Sequence, residues 1–206
     1  MSTKEIKDYY SSTENSDTRA DLDYAVTMLG KDRIAIDCGC GAGADIAFLR
    51  EHDFIVHAFD LEQESILRCR ERFKDDGKVF LSQDSFSSFA YPCASLIVAD
   101  ASLFFCPPTE FKDVWINIEA SLMPSGVFCG SFLGPNDTMA GPDYDKEAFW
   151  PEVMVFTEDK LRQHFTGFEV IRWTEHQISG ETAQGVPHRW HIFSVVAKIR
   201  SPAHVT

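Results

Sequence analysis

The sequence predicts an α/β three-layer sandwich, in which a seven-stranded, mostly parallel sheet carries helices on both sides and has an antiparallel last strand. Three observations lead there. Short apolar runs alternate with stretches of helical periodicity, the order that builds parallel sheets through helical crossovers. The first run, Ile34-Ala35-Ile36, leads into glycines at alternate positions, Gly39, Gly41 and Gly43, and then into a helix with Ile46 and Leu49 on one face. The last two runs are joined by a polar link short enough for direct antiparallel pairing.

Bulk properties bound the function. The 206 residues make one domain, 1–206, long enough for its own core. Hydrophobic and charged shares of 44% and 25% are those of ordinary globular chains, so a packed domain is expected. A formal charge of −13 argues against nucleic-acid partners, whose phosphates require clustered Lys and Arg; the acidic surface serves solubility. No apolar run approaches the roughly 18 residues of a membrane span, so no membrane partner is expected. Met1-Ser2-Thr3-Lys4-Glu5 lacks the apolar core of a signal peptide, which predicts a cytoplasmic chain. For the same reason the sequon Asn136-Asp137-Thr138 is expected to be idle. Cys38, Cys40, Cys69, Cys93, Cys106 and Cys129 show neither zinc nor disulfide-scaffold spacing and are expected as free, buried thiols.

Taken in order, residues 1–20 are polar and have the composition of a frayed terminus. Residues 21–29 carry Leu22, Ala25, Val26 and Leu29 at helical steps, and Gly30 ends the helix. After the glycine turn comes the helix 44–51, then a second strand, 54–60, ending in Asp60. Helix 62–73 turns Ile66, Cys69 and Phe73 inward. Residues 79–86 read as a third strand with a polar end, and 94–105 as a fourth strand with its exit. Phe111, Val114, Trp115, Ile118 and Leu122 form one face of a helix over 109–122, suited to packing on the sheet. Pro124-Ser125-Gly126 turns into a fifth strand, 127–133, followed by a Gly/Pro-rich loop to Tyr144. Thr157 is the expected N-cap of helix 158–165. Strands 167–173 and 190–197 close the chain, linked through Gly180 and Gly185. His188 and His191 lie three apart, which on a strand means opposite faces, so no shared metal is expected.

The turn Asp37-Cys38-Gly39-Cys40-Gly41-Ala42-Gly43 has the spacing G-x-G-x-G, not the G-x-G-x-x-G of dinucleotide sites. No Lys or Arg follows to hold phosphates, and the acid at the entrance suits a cationic ligand. With Ala35 and Ile36 before it, this string resembles motif I of the class I S-adenosylmethionine-dependent methyltransferases, and the fold is then Rossmann-like. The resemblance covers about residues 20–200 and implies S-adenosyl-L-methionine as cofactor. Gly39, Cys40, Gly41 and Gly43 would run along its methionine end, with Asp37 facing the amino group. Asp60 stands 23 positions after Asp37, near the interval of a ribose carboxylate, and the resemblance makes it that residue, with Leu61 beside it. The alternative for Asp60 is a helix N-cap. By the same resemblance Asp84, Ser85 and Phe86 meet the adenine; because ligands of a doubly wound sheet sit outside the carboxyl ends of its strands, Asp100 to Phe105 adjoin the place of methyl transfer. Residues 1–20 would then close over the site, with Tyr9, Tyr10 and Arg19 facing it.

Ser102-Leu103-Phe104-Phe105-Cys106, Phe132-Leu133-Gly134 and Trp190-His191-Ile192-Phe193 look like small bacterial methyltransferases of the tellurite-resistance type. That likeness implies a small, soft acceptor, such as an oxyanion, thiol or other small metabolite. Cys106-Pro107-Pro108 lacks the Asn or Asp and the aromatic of the amino-methylating Asn/Asp-Pro-Pro-Tyr motif. Cys106 has no basic neighbour in sequence to activate it and reads as a packing residue. No catalytic residue is assigned; His188, Arg189 and Arg19 are candidates for handling the acceptor. Two other readings remain at this level: a nicotinamide-dependent oxidoreductase, and a protein that binds S-adenosylmethionine without transferring its methyl group.

Overall fold

The computed structural model describes residues 3–142, 144, 153–182 and 185–200, the first four by backbone alone. The strands are β1 (Ile34–Cys38), β2 (Ile55–Asp60), β3 (Val79–Gln83), β4 (Ala94–Ala99), β5 (Leu122–Leu133), β6 (Phe168–Glu181) and β7 (Pro187–Ile199). They form a seven-stranded sheet in the order β3-β2-β1-β4-β5-β7-β6. Pairing is parallel from β3 through β5, and β7 alone runs against its neighbours. The predicted fold class is the observed one.

The helices are α1 (Thr3–Thr13), α2 (Ala20–Thr27), α3 (Ala44–Glu51), α4 (Gln63–Arg72), α5 (Phe111–Ser121) and α6 (Glu158–His164). Alternation along the strands separates two cores. Ile36 and Cys38 of β1 join the helices α5 and α6, whereas Ala35 joins α2, α3 and α4. The α5 side is aromatic: the Trp115 ring meets Phe128, Phe165 and Phe168 edge-on or tilted, and its Nε1 donates to the His164 carbonyl at 3.1 Å. This matches the apolar face read from the sequence. Among the described residues no helix is long and apolar enough to cross a membrane.

The structure corrects several boundaries. Residues 3–13 are helical rather than frayed. Strand β3 stops at Gln83, so Asp84, Ser85 and Phe86 belong to a loop. Strand β5 begins at Leu122, opposite Ala94, and the Pro124-Ser125-Gly126 turn is a bulge inside it, with Ser125 at φ 65°. The last two strands are much longer than expected, because pairing continues to Glu181 opposite Pro187. Polar residues there keep the ladder, since backbone groups pair whatever the side chain. Only Gly185 serves the turn, at φ 75°; Gly180 lies within β6 under the Trp190 ring. Thr157 stands at the N-cap of α6 but its side chain makes no cap bond. Cys93 is exposed, unlike the other five thiols.

Candidate functional site

Strand order reverses between β1 and β4, and in open α/β sheets ligands bind outside the carboxyl ends at that point. Register then decides which side chains meet. Cys38 pairs with Phe59, and Asp37 with Val98. One step on from Phe59 is Asp60; two steps on from Val98 is Asp100. Both therefore come level with Gly39, one on each side.

The turn is built for close approach. Gly39, Gly41 and Gly43 have φ of 75°, 52° and 80°, where other residues are strained. A Cβ at Gly39 would lie 2.7 Å from the Ser102 Cβ, and one at Gly43 would lie 2.9 Å from the Phe73 ring. Ser102 reaches the turn because its hydroxyl donates to the Cys38 carbonyl at 2.6 Å. From α4, Ser65 donates to the Gly41 carbonyl at 2.6 Å. Asp60 accepts from the Gly41 N–H at 2.8 Å and from the Glu62 N–H at 2.9 Å. It thus clasps the turn to the start of α4, whose N-cap is Glu62 rather than Asp60. Leu61 beside it is exposed.

The electrostatics are unusual for their concentration of acid. Asp37 is 3% exposed, and its Oδ2 has no hydrogen-bond partner among the described residues. Burial pushes its carboxyl well above the usual range, with Asp45, Cys69, Asp60 and Asp100 adding to the effect. Asp45, in the first turn of α3, is pushed up to about 6, mainly by burial and then by Asp100. Burial also raises Asp100, opposed by Arg19. The sequence reading missed Asp45 and Ser65. A carboxylate opening the helix after a glycine turn was the available signal for Asp45.

The remaining named residues fall nearby or elsewhere. Asp84 follows β3, its N–H bonded to the Asp60 carbonyl and its Oδ1 accepting from Ser88 at 2.9 Å. Ser85 is tied into the same serine turn, and Phe86 stacks edge-on against Phe59 at 5.4 Å. Cys40 and Cys69 are buried behind the turn. Arg19 binds Asp100 through two nitrogens, each at 2.6 Å from an oxygen. Helix α1 packs beside Gly41: Tyr10 is 6% exposed, and its Cε1 lies 3.8 Å from where a Gly41 Cβ would stand. Arg68 holds α1 by its Lys7 carbonyl, and Arg72 holds the Glu14 carbonyl just after it. Cys106 is pushed up to about 12 by burial, consistent with packing rather than nucleophilic attack.

His188 and His191 meet around Asp137, in the loop after β5. Asp137 Oδ1 pairs with His188 Nε2 at 3.1 Å and accepts from the Met139 N–H, while Oδ2 accepts from the His191 N–H at 2.8 Å. The His191 ring turns away to Glu175. Among the described residues no group of three His, Cys, Asp or Glu side chains stands close enough to hold a metal. Arg189 reaches Gln177 instead of the strand ends. Part of the Gly/Pro-rich loop before Tyr144 lies outside the described residues.

Comparison with known proteins agrees with this geometry. A family model described as a methyltransferase domain matches residues 35–126. TehB from Haemophilus influenzae superposes with a TM-score of 0.75 at 15% identity, over 95% of this chain and 67% of that one. A SAM-dependent methyltransferase from Methanosarcina mazei gives 0.69 at 17% identity, over 91% and 100%. The 1,6-didemethyltoxoflavin-N1-methyltransferase of Burkholderia thailandensis, solved with bound 1,6-didemethyltoxoflavin and S-adenosylhomocysteine, gives 0.63 at 18%, over 96% and 89%. No curated protein matches the sequence. Such low identities speak for the fold, and the family match speaks for the domain. Residues 35–126 thus match a methyltransferase-domain model, and the chain has the fold of the class I, S-adenosylmethionine-dependent methyltransferases.

Proposed function

We propose that the chain binds S-adenosylmethionine and transfers its methyl group to a small acceptor. The observation that carries this is the row Asp60, Gly39, Asp100 across adjacent strand ends, beside the orphaned Asp37 oxygen. The residues fit the group. Glycines hold the turn at positive φ, and the acid around it, with the Asp37 oxygen unpartnered among the described residues, complements the cationic end. Asp37 would take the ammonium, Asp60 the ribose hydroxyls, and the Asp84–Phe86 loop the adenine, as the family resemblance implies. When bound, the group supplies an electrophilic methyl on a sulfonium.

Methyl displacement from a sulfonium disperses charge rather than creating it, so alignment and exclusion of water can supply most of the rate. Tyr10 and Phe104, 6% and 5% exposed, are the apolar side chains that would keep water from this edge. A dedicated base is unnecessary for a soft nucleophile, and the acceptor we favour is such a small metabolite. Where the acceptor carries a proton, His188, fixed by Asp137, is the group we would test first. The concentration of acid at the strand ends weighs against nucleic acid as acceptor.

Thermal unfolding and calorimetry with S-adenosylmethionine, S-adenosylhomocysteine and NAD test the reading. At about 100 times Kd a ligand adds about 2.7 kcal/mol to the folded state. Both adenosyl ligands should raise Tm by roughly 5–10 °C in a chain this size, and the Asp60→Asn variant should respond far less. A response to NAD alone, or to none of the three, removes the methyltransferase reading. Release of S-adenosylhomocysteine with a panel of thiols, amines and oxyanions then separates an enzyme from a binding protein.

A further inference from the structure

A small cavity at the carboxyl edge is lined by Arg19, Asp21, Asp45, Asp100, Gly130 and Ser194, among others. Arg19 is the only Lys or Arg among its lining residues. Its guanidinium takes both oxygens of Asp100, whose side chain is 20% exposed, while that of Arg19 is 53% exposed. The Arg19 backbone is fixed independently. Its carbonyl accepts from Leu22 and Asp23, and the following residues are held by Arg172, which donates to Asp21 at 2.9 Å and lies over the Tyr24 ring. The Arg19 side chain can therefore leave Asp100 for solvent without unravelling α2.

We infer that the Arg19–Asp100 ion pair is an autoinhibitory latch, in which Arg19 occupies a carboxylate that the cationic end of the cofactor competes for. The inference rests on the reading of the site given above. Asp37, with its orphaned oxygen, and Asp45 and Asp100 form a receptor for positive charge. One guanidinium, paired with Asp100, offsets part of that charge from the rim. Replacing that guanidinium by an ammonium or sulfonium exchanges one cation for another, so the exchange leaves the charge of the site unchanged. Binding an anion instead would break the pair without replacing it. The latch thus selects for ligands that carry their own positive charge, and it sets the rate at which they enter.

Stopped-flow binding to wild type, Arg19→Ala and Arg19→Lys tests this with two probes, S-adenosylmethionine and neutral 5′-methylthioadenosine, which lacks the amino-acid end. For S-adenosylmethionine, Arg19→Ala should associate at least fivefold faster with no loss of affinity. Arg19→Lys, which keeps the charge but not the two-pronged contact, should fall between. The neutral probe should bind all three alike. In addition, the Arg19 Nε–H NMR signal should be protected in the wild type, be lost in Asp100→Asn, and lose protection when S-adenosylmethionine is added. Weaker binding of S-adenosylmethionine to Arg19→Ala would overturn the latch and make Arg19 a direct contact to the ligand's carboxylate. So would equal rates, or an Nε–H signal that stays protected on binding. If neither wild type nor Arg19→Ala binds either probe, the cofactor reading itself falls, an outcome distinct from binding without a rate change. Binding confined to Arg19→Ala would support the latch in its strongest form.

Discussion

Two buried aspartates on the same edge of the sheet have opposite surroundings. Asp137, in the antiparallel half, is fully satisfied: a histidine ring and two backbone N–H groups converge on its two oxygens. Asp37, in the parallel half, is equally buried but keeps an oxygen without a partner among the described residues, and other carboxyl groups lie around it. A buried polar group normally has partners, and leaving one without them costs stability. The first aspartate builds a loop. The second is the one we assign to the cofactor's ammonium. Burial alone does not distinguish structure from function; the state of the partners does.

The largest effect should come from Asp137→Ala. It strands the His188 ring and the N–H groups of Met139 and His191, and should lower stability by about 3–5 kcal/mol, the range for breaking a buried pair. Guanidinium unfolding measures this, and the folded fraction should still bind S-adenosylhomocysteine. Gly39→Ala comes next. Its Cβ would collide with Ser102 at a positive φ, at about 2–4 kcal/mol, and here ligand binding should be lost together with stability.

Asp37→Asn is the sharper contrast. Removing an ill-solvated charge should leave stability at neutral pH unchanged or raised, while S-adenosylmethionine affinity falls about tenfold, or about 1.4 kcal/mol, by calorimetry. Destabilisation on the scale of Asp137→Ala would abolish the distinction between the two aspartates. The smallest effect concerns Asp45. Its carboxyl, about 6 in the fold, binds a proton more tightly than in the unfolded chain. Between about pH 4 and 6 the native state therefore holds more protons, and its stability falls as pH rises. Asp45→Asn should flatten that slope and raise Tm at pH 7 by roughly 2–4 °C. An unchanged pH profile would show that Asp45 is not desolvated.

Much of the parallel half was legible because its signals are local. The alternate glycines demand a turn of positive φ, and the face from Phe111 to Ile118 demands a helix on the sheet. The acids at positions 37, 60 and 100 stand at strand ends that apolar runs mark out. The family match covers the same region, residues 35–126, and stops as β5 gets under way. The antiparallel half was harder to read. Nothing in residues 174–181 favours a strand by pattern, yet β7 supplies a complete ladder for them. Asp137 looked like part of a sequon, and its clasp joins residues more than 50 positions apart. Helix α1 was hidden for a related reason: what holds it is Arg68 and Arg72, far along the chain.

By itself the sequence determined the fold class, the glycine turn and the residue types that ring it, because backbone sterics and hydrophobic periodicity act over a few residues. Only the tertiary structure decided which acids were satisfied and which left waiting, and where Arg19 found its partner. Those outcomes depend on strand register and on donors brought from distant segments, and no local pattern encodes either.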